Sequence, residues 1–538
     1  MCDSLGFTTH RKAAWQVALA AVAWFAQPAD AQSNGSSLTE SQTLTPLARE
    51  PRSAPAVRCH DLPAMSDPNL TIVSVDATTR GAELCRVHGV VPPEVEFMLE
   101  LPSTWNGRLY VLGNGGYGGE AVTGDYGIAE RTRATDLGFA TLFTNLGHDS
   151  LREPGGDWAR GNLAKKLDYG LRGLHVATLA AKEILKHYYS APLRHSYFDG
   201  CSTGGGQALK AAQRFPQDYD GIVGGAPVLD FVELQLYGWN NQMAILETPL
   251  TPGKVASLAR RVMELFDAAD GVRDGVIENP LAVDFEPERD LRGDPAFTSG
   301  EIRALMRIYR GVVVDGKQIA PGVPVGAEGL GQTYTTAGFD SVALESGWAT
   351  RLIPDAQGHL QQRANVEAWL KNLAFPTDAQ DRDITNFDPG RDLPRLKTMA
   401  QILDANDPDL GAYRARGGKL ILYHGWADTG VNPMTTVRYF ERVRQLLGSA
   451  TDEFARLYMV PGMFHCRGGL NVDRFDAMSA VIGWVERGTM PQALIASRVE
   501  QGRVVRTRLL CPYPQTARYR GTGSTDRAAN FSCGKPGA

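Results

Sequence analysis

Asp199-Gly200-Cys201-Ser202-Thr203-Gly204-Gly205 is the heptapeptide from which the fold is predicted. The apolar run 196–198 precedes it, and a helical pattern from Gln207 to Phe215 follows it. A G-x-S-x-G motif between a strand and a helix is typical of a sharp turn that lifts a nucleophilic serine above the edge of a sheet. Side chains at Gly200 or Gly204 would collide with neighbouring backbone in such a turn. Taken alone, the motif is equally compatible with an ordinary glycine-rich turn.

Short apolar runs separated by helical patterns extend on both sides of this heptapeptide. Val95 to Leu101 alternates apolar and polar residues, and we expect this strand to pair antiparallel with the next run, Arg108 to Leu112. The segment from Leu174 to Tyr188 places its apolar residues on one helical face. Strands that alternate with helices predict an α/β fold with a mostly parallel sheet. Further strands are expected at 140–143, 196–198, 222–223, 419–423 and 457–460.

The regular alternation stops between about residues 227 and 414. This segment mixes helical stretches with loops rich in Gly and Pro, and the strand pattern resumes at Lys419. We therefore predict one α/β core that is interrupted by a large inserted domain. The predicted core comprises residues 57–226 and 415–538, and the predicted insertion comprises residues 227–414.

An acid and a histidine follow two of the later strands. Asp428 lies on the loop after 419–423, and His465 lies on the loop after 457–460. A serine nucleophile needs a base and an orienting acid, and in this type of fold they follow it in the order acid, then histidine. Each residue has an ordinary alternative, because Asp428 could cap a turn and His465 could be a packed loop histidine. His424 is a rival base, but it directly follows a strand, and we interpret it as structural.

A glycine-rich loop supplies candidate donors for an oxyanion hole. The backbone N–H of Thr203, directly after the serine, is one predicted donor. Gly113-Asn114-Gly115-Gly116-Tyr117-Gly118-Gly119 follows the run 108–112, and either Gly115 or Gly116 is the other donor. A phosphate-binding loop is the alternative, but this run lacks the Lys-Ser/Thr end of a P-loop and the spacing of a dinucleotide fingerprint.

The N-terminus has the pattern of an export signal. A basic segment that includes Arg11 and Lys12 is followed by an apolar stretch, and Ala29-Asp30-Ala31 provides a small-x-small cleavage site. We predict a signal peptide at 1–31, a flexible leader at 32–56 and a secreted or periplasmic protein; a buried N-terminal helix is the alternative. The apolar stretch is too short to span a bilayer.

Six cysteines remain after the predicted cleavage. An even number in an exported protein indicates disulfides, and six cysteines allow 15 pairings. Spacing favours Cys59 with Cys85 and Cys511 with Cys533, because each pair closes a short loop, and this leaves Cys201 with Cys466. These last two flank the predicted nucleophile and base, so a bond between them would tie the two loops together.

The charge balance favours small neutral or mildly polar ligands. The chain has 538 residues, 55 basic and 60 acidic, with a net charge of −5. This balance provides no electrostatic footprint for nucleic acid or for an anionic membrane. The oligomeric state is not predicted.

An acidic loop in the predicted insertion suits calcium. Three carboxylates occur within ten residues, together with glycines that permit a tight loop, and hard oxygen ligands of this kind favour Ca²⁺. A solvated acidic turn is the alternative, and the spacing differs from that of an EF-hand. The predicted ligands are Asp267, Asp270 and Asp274, with the carbonyl groups of Val272 and Val276.

Together these motifs resemble the tannase and feruloyl esterase family, which includes the mono(2-hydroxyethyl) terephthalate hydrolases. The resemblance lies in Gly200 to Gly205, Asp428, His465-Cys466, the acidic loop and the tail from Cys511 to Cys533. It implies an α/β-hydrolase core with a lid domain, calcium held in that lid, and hydrolysis of esters of aromatic carboxylic acids.

The chain also departs from this family's patterns. Relatives often carry a lid cysteine where this chain has Phe266, and the terephthalate monoester hydrolases have an aromatic residue shortly after the acid, where this chain has Thr429-Gly430-Val431. We therefore expect a serine esterase for feruloyl, hydroxycinnamoyl or galloyl esters, with a terephthalate monoester hydrolase as the alternative. Two further hypotheses are a non-catalytic protein that binds phenolics or polysaccharide, and a serine peptidase. Candidate residues for stacking on the aromatic acid, each more often a core residue, are Trp239, Trp348 and Trp369.

Overall fold

A computed structural model describes residues 52–329, 347–353, 360–375 and 383–535. The predicted signal peptide and nearly all of the predicted leader lie outside these residues. Within the described ranges, none of the helices has the length and apolar character needed to cross a membrane.

The described residues form alternating strands and helices, with two hairpins at the C-terminal end. The strands are β1 (Thr71–Arg80), β2 (Ala82–Val91), β3 (Val95–Pro102), β4 (Arg108–Leu112), β5 (Ala140–Thr144), β6 (His195–Cys201), β7 (Gly221–Gly225), β8 (Val312–Val314), β9 (Lys317–Ala320), β10 (Lys419–Gly425), β11 (Ala455–Val460), β12 (Leu494–Glu500), β13 (Arg503–Leu510), β14 (Thr516–Tyr519) and β15 (Phe531–Gly534). The helices are α1 (Ile128–Asp136), α2 (Leu163–Leu167), α3 (Gly173–Tyr189), α4 (Thr203–Arg214), α5 (Phe231–Glu247), α6 (Pro252–Phe266), α7 (Pro287–Asp290), α8 (Ser299–Arg310), α9 (Gly347–Arg351), α10 (Gln361–Asn372), α11 (Pro389–Leu403), α12 (Gly411–Ala415), α13 (Pro433–Leu447) and α14 (Ala477–Arg487).

The core of the described chain is a nine-stranded sheet with the order β1-β2-β3-β5-β4-β6-β7-β10-β11. β1, β2, β3 and β5 are antiparallel neighbours, and every pairing from β5 to β11 is parallel. The predicted α/β class and the antiparallel entry are confirmed. The predicted pairing of β3 with β4 is wrong, because β5 lies between them and pairs with both.

Both faces of the parallel strands are buried. In β10, Leu420 and Leu422 join the core that includes α3, whereas Ile421 and Tyr423 join the core that includes α14. Alternate residues of a strand point to opposite faces, so one strand contributes to two cores. This double burial explains why these strands read as continuous apolar runs.

The long interruption in the strand pattern falls between two neighbouring strands. β7 and β10 are parallel partners, with Gly221 opposite Lys419, although about 200 residues separate them in the chain. Between them, the described residues form helices α5 to α12 and the β8–β9 hairpin. The exact bounds of the insertion, 227–414, stay a prediction.

The three predicted disulfides are confirmed. Cys59 bonds Cys85, and Cys511 bonds Cys533, with Cα atoms 5.6 and 5.5 Å apart. The third bond joins Cys201 and Cys466, whose Cα atoms are 6.0 Å apart. It covalently joins the end of β6 to the loop after β11.

Candidate active site

Ser202 lies in a strained turn between β6 and α4. Its φ of 64° is in the left-handed region, which side chains other than glycine rarely adopt. A Cβ atom at Gly200 would lie 2.7 Å from the carbonyl carbon of Gly204, and one at Gly205 would lie 2.2 Å from the carbonyl oxygen of Gly225. The glycines are therefore required by close backbone contacts, and the strain is of the kind that concentrates at functional sites.

The structure brings Ser202, His465 and Asp428 into one hydrogen-bonded chain. His465 Nε2 is 2.9 Å from Ser202 Oγ, and His465 Nδ1 is 2.7 Å from Asp428 Oδ2. All three residues are buried, and Asp428 is fully so. Since a carboxylate can only accept, Nδ1 carries the proton, and Nε2 is left free to accept the hydroxyl proton of Ser202. This is the protonation state that a general base needs.

Asp428 is held by four donors. Its Oδ1 accepts the backbone N–H groups of Gly430 and Val431 at 2.7 and 2.9 Å, and its Oδ2 accepts from His465 and, at 3.1 Å, from His424 Nε2. Burial alone would raise the pKa of Asp428, but the adjacent His465 and His424 hold that pKa well below its ordinary value. Asp428 is therefore a permanent anion that fixes the orientation of His465.

The glycine-rich loop lies beside the first turn of α4. Thr203 Oγ1 donates to the carbonyl group of Gly116 at 2.5 Å, and Tyr169 Oη donates to the same carbonyl group at 3.1 Å. Gly115 N donates to Glu120 Oε1 at 3.1 Å. Neither Gly116 N nor Thr203 N has an acceptor among the described residues. Both predicted sides of an oxyanion hole thus lie next to Ser202.

The three tryptophans occupy different places. Trp348 and Trp369 are fully buried, packed against Tyr309 and Phe387 respectively. Trp239 is half-buried; its Nε1 donates to the carbonyl group of Ile384 at 2.9 Å. None of these contacts brings a tryptophan to Ser202 or His465, and stacking on a substrate stays a prediction.

The acidic loop has the residue types of a calcium site. Its carboxylates and carbonyl groups are hard oxygen donors that fit Ca²⁺. In the described conformation, Asp267 Oδ1 accepts the N–H of Gly275 at 2.9 Å, Asp270 Oδ1 accepts the N–H of Val272 at 2.9 Å, and Asp274 pairs with Arg508. Within the described ranges, no group of three or more His, Cys, Asp or Glu side chains is arranged to hold a metal ion.

Three residues near the candidate active site have no motif that marks them in the sequence. Glu120 contacts the glycine-rich loop, and Tyr169 contacts Gly116. Arg351 lies next to Gly430, since a Cβ atom there would be 2.9 Å from its Nη2. Glu120, five residues after Gly115, is the one that the sequence itself could have suggested.

The parallel sheet, the turn at Ser202 and the chain order serine, acid, histidine define an α/β-hydrolase. Comparison with known proteins gives the family. A family profile described as tannase and feruloyl esterase matches residues 78–534. The chain belongs to this family and is a carboxylic ester hydrolase.

Similarity to individual proteins supports the assignment to this family. The mono(2-hydroxyethyl) terephthalate hydrolase of Piscinibacter sakaiensis is 31% identical over 528 residues, covering 84% of this chain and 85% of that protein. A probable feruloyl esterase of Arthroderma benhamiae is 28% identical over 503 residues, covering 88% of each chain. Among solved structures, feruloyl esterase B from Aspergillus oryzae has a TM-score of 0.74 at 24% identity, covering 87% of this chain and 98% of that one. The last likeness confirms the fold.

Proposed function

We propose that the chain is an exported serine esterase that hydrolyses carboxylic esters of aromatic acids, with Ser202 as nucleophile. The single observation that carries the mechanism is the buried hydrogen-bonded chain of Ser202, His465 and Asp428, with distances of 2.9 and 2.7 Å. The order of these residues along the chain, their positions at strand ends and their side-chain contacts all support the same assignment of nucleophile, base and acid.

The reaction follows from these contacts. His465 Nε2 takes the proton of Ser202 as Oγ attacks the ester carbonyl carbon, and Asp428 stabilises the imidazolium that forms. The tetrahedral intermediate collapses when His465 returns the proton to the departing alcohol, which leaves an acyl-enzyme. Water, deprotonated by His465, then attacks the acyl group and releases the aromatic acid, so that Ser202 regains its proton.

The aromatic acid is proposed from the relatives. Their names specify feruloyl esters and a terephthalate monoester. Feruloyl, hydroxycinnamoyl or galloyl esters are the main proposal, and the 31% identical relative makes the terephthalate monoester the second candidate. Against the second candidate, Thr429-Gly430-Val431 follows Asp428 without an aromatic residue.

Export and calcium are further parts of the proposal. Three disulfides fit an oxidising compartment, either the periplasm or the extracellular space. A structural Ca²⁺ would be held by the carboxylates and carbonyl groups of Asp267, Asp270, Val272, Asp274 and Val276.

The test is hydrolysis of methyl ferulate, methyl gallate and mono(2-hydroxyethyl) terephthalate by the mature protein, each beside Ser202→Ala. We expect activity on one or more of these esters and its loss by at least a thousandfold in the variant. Activity that survives in Ser202→Ala would contradict the mechanism. Silence on all three esters, with folded protein and added calcium, would contradict the proposed substrate class and favour a binding protein.

A further inference from the structure

The glycine-rich loop is fixed to the helix that follows the nucleophile. Asn114 and Gln207 of α4 exchange two hydrogen bonds: Asn114 N donates to Gln207 Oε1 at 3.1 Å, and Gln207 Nε2 donates to Asn114 Oδ1 at 3.2 Å. Asn114 Nδ2 also donates to the carbonyl group of Thr144 at 2.8 Å. These contacts position Asn114 at the start of the loop.

Glu120 holds the next residue of the loop, Gly115. Its Oε1 accepts the backbone N–H of Gly115 at 3.1 Å, and its Oε2 accepts Asn114 Nδ2 at 2.8 Å. The side chain is buried, with 5% of the residue exposed. Both oxygens accept hydrogen bonds, so an amide at this position would direct its NH₂ group at one of the two donors.

The restraint leaves a single glycine as the oxyanion donor. Gly115 N is directed at Glu120, so it is not free to bind a second oxygen. The carbonyl group of Gly115 accepts the N–H of Gly118 at 2.8 Å. The Gly115 carbonyl and the Gly116 N–H belong to one trans peptide group and point in opposite directions. The N–H of Gly116 is therefore turned away from Gly118. A Cβ atom at Gly116 would have no atom within 4 Å, which places Gly116 beside open space.

We propose that Glu120 is a positioning residue for the oxyanion hole. By holding Gly115 N and Asn114, it aims the N–H of Gly116, together with that of Thr203, at the oxygen of the tetrahedral intermediate. The inference rests on the proposed function, since it needs Ser202 as the nucleophile. Glu120 does not touch the reacting atoms. It acts through the orientation of the Asn114–Gly115 peptide, which directly precedes the peptide that carries Gly116 N.

Glu120→Gln tests this role with minimal change of shape. We expect kcat to fall about ten- to a hundredfold, less than the 10²–10³ for outright loss of an oxyanion donor, with KM within about twofold. Phenylboronic acid, which adds to the serine as a tetrahedral anion, should bind more weakly by the same factor as kcat, as measured by titration calorimetry. Glu130→Gln is the matched control, because Glu130 is equally buried on neighbouring α1 and has no bond to the glycine-rich loop.

The outcomes separate this inference from the proposed function. If Ser202→Ala abolishes activity but Glu120→Gln keeps kcat and phenylboronic acid affinity, the role of Glu120 is wrong while the mechanism stands. If kcat and KM change together and phenylboronic acid affinity does not, Glu120 has a purely structural role and the inference is also wrong. Should Glu120→Gln fail to fold, Glu120→Asp withdraws the carboxylate by one methylene and gives the same comparison.

Discussion

Asp428 shows how much a single side chain depends on its neighbours. Two histidines meet the same oxygen, His465 at 2.7 Å and His424 at 3.1 Å. His424 is fully buried, its Nδ1 lies 2.8 Å from Thr436 Oγ1, and its Nε2 also lies 3.0 Å from the carbonyl group of Val431. Because both partners of Nε2 are acceptors, His424 carries its proton there, and it accepts from Thr436. His424 therefore stabilises the negative charge on Asp428 as a neutral hydrogen-bond donor.

His424→Leu should change both stability and the pH profile. We expect a loss of about 1–3 kcal/mol in unfolding free energy, because Asp428, Val431 and Thr436 lose a buried partner. With one donor fewer, Asp428 attracts the imidazolium of His465 more strongly, so the acid limb of kcat/KM should move to higher pH. Urea denaturation and a pH series measure the two effects. The exposed His187→Leu serves as control, and an unmoved acid limb would exclude an electrostatic role.

At this scale the sequence pointed to three residues that the structure brings into contact, but not to the side chains that surround them. Ser202, Asp428 and His465 are marked by chain order and by strand ends, which are local features. The bonds from Gly115 to Glu120 and from His424 to Asp428 depend on how the chain folds in space, and no motif marks either side chain with its partner. The proposed choice of Gly116 over Gly115 as oxyanion donor likewise rests on the position of Glu120.

Among the elements, the positions of the strands in the sequence were predicted better than the order of the strands in the sheet. Apolar runs mark β5, β6, β7, β10 and β11, because strands buried on both faces are apolar throughout. The order in the sheet is a non-local property, so adjacency in sequence wrongly paired β3 with β4 although β5 lies between them. Strands β1 and β2 were missed, because their residues are largely exposed or half-buried on one side.

Helix α5 begins at two half-buried acids, Asp230 and Glu233. Asp230 Oδ1 accepts the N–H of Glu233 at 2.8 Å, and Glu233 Oε1 accepts the hydroxyl of Thr435 at 2.5 Å. Burial, with repulsion from Asp230, raises the pKa of Glu233 to about 7 from 4.5. The unfolded chain therefore releases this proton at lower pH than the folded chain, and unfolding free energy falls as pH rises from about 4.5 to 7.

Glu233→Gln should remove this part of the pH dependence. The shift of about 2.5 units corresponds to a ceiling of about 3 kcal/mol, so we expect the variant to be more stable than the parent at pH 8 and similar at pH 5. Urea denaturation at both pH values measures the difference. Glu264→Gln, on an exposed position of α6, should leave the dependence unchanged. An equal pH dependence in the Glu233 variant and the parent would refute the assignment.

On the scale of the whole molecule, the acidic loop connects distant parts of the chain. Asp274 pairs with Arg508 of β13, and Arg506 of the same strand bonds Asn471, beyond the His465 loop, at 3.2 Å. Glu278 Oε1 accepts the N–H of Ala517 in β14 at 3.2 Å. The region between β7 and β10, the segment after β11 and the C-terminal hairpins therefore meet at or close to this loop, so its order affects all three.

Removal of calcium should consequently weaken the whole molecule rather than one loop. The carboxylates of Asp267, Asp270 and Asp274 occur within eight residues, and a divalent cation would offset their mutual repulsion. A ligand at about 100 times its Kd stabilises the folded state by about 2.7 kcal/mol, so EDTA should lower the Tm by several degrees, and added Ca²⁺ should restore it. Asp270→Asn should melt at the lower temperature with or without EDTA, whereas the exposed Glu264→Gln should respond to EDTA like the parent. An unchanged melting curve in EDTA, with no calcium found by elemental analysis, would contradict the proposed calcium site.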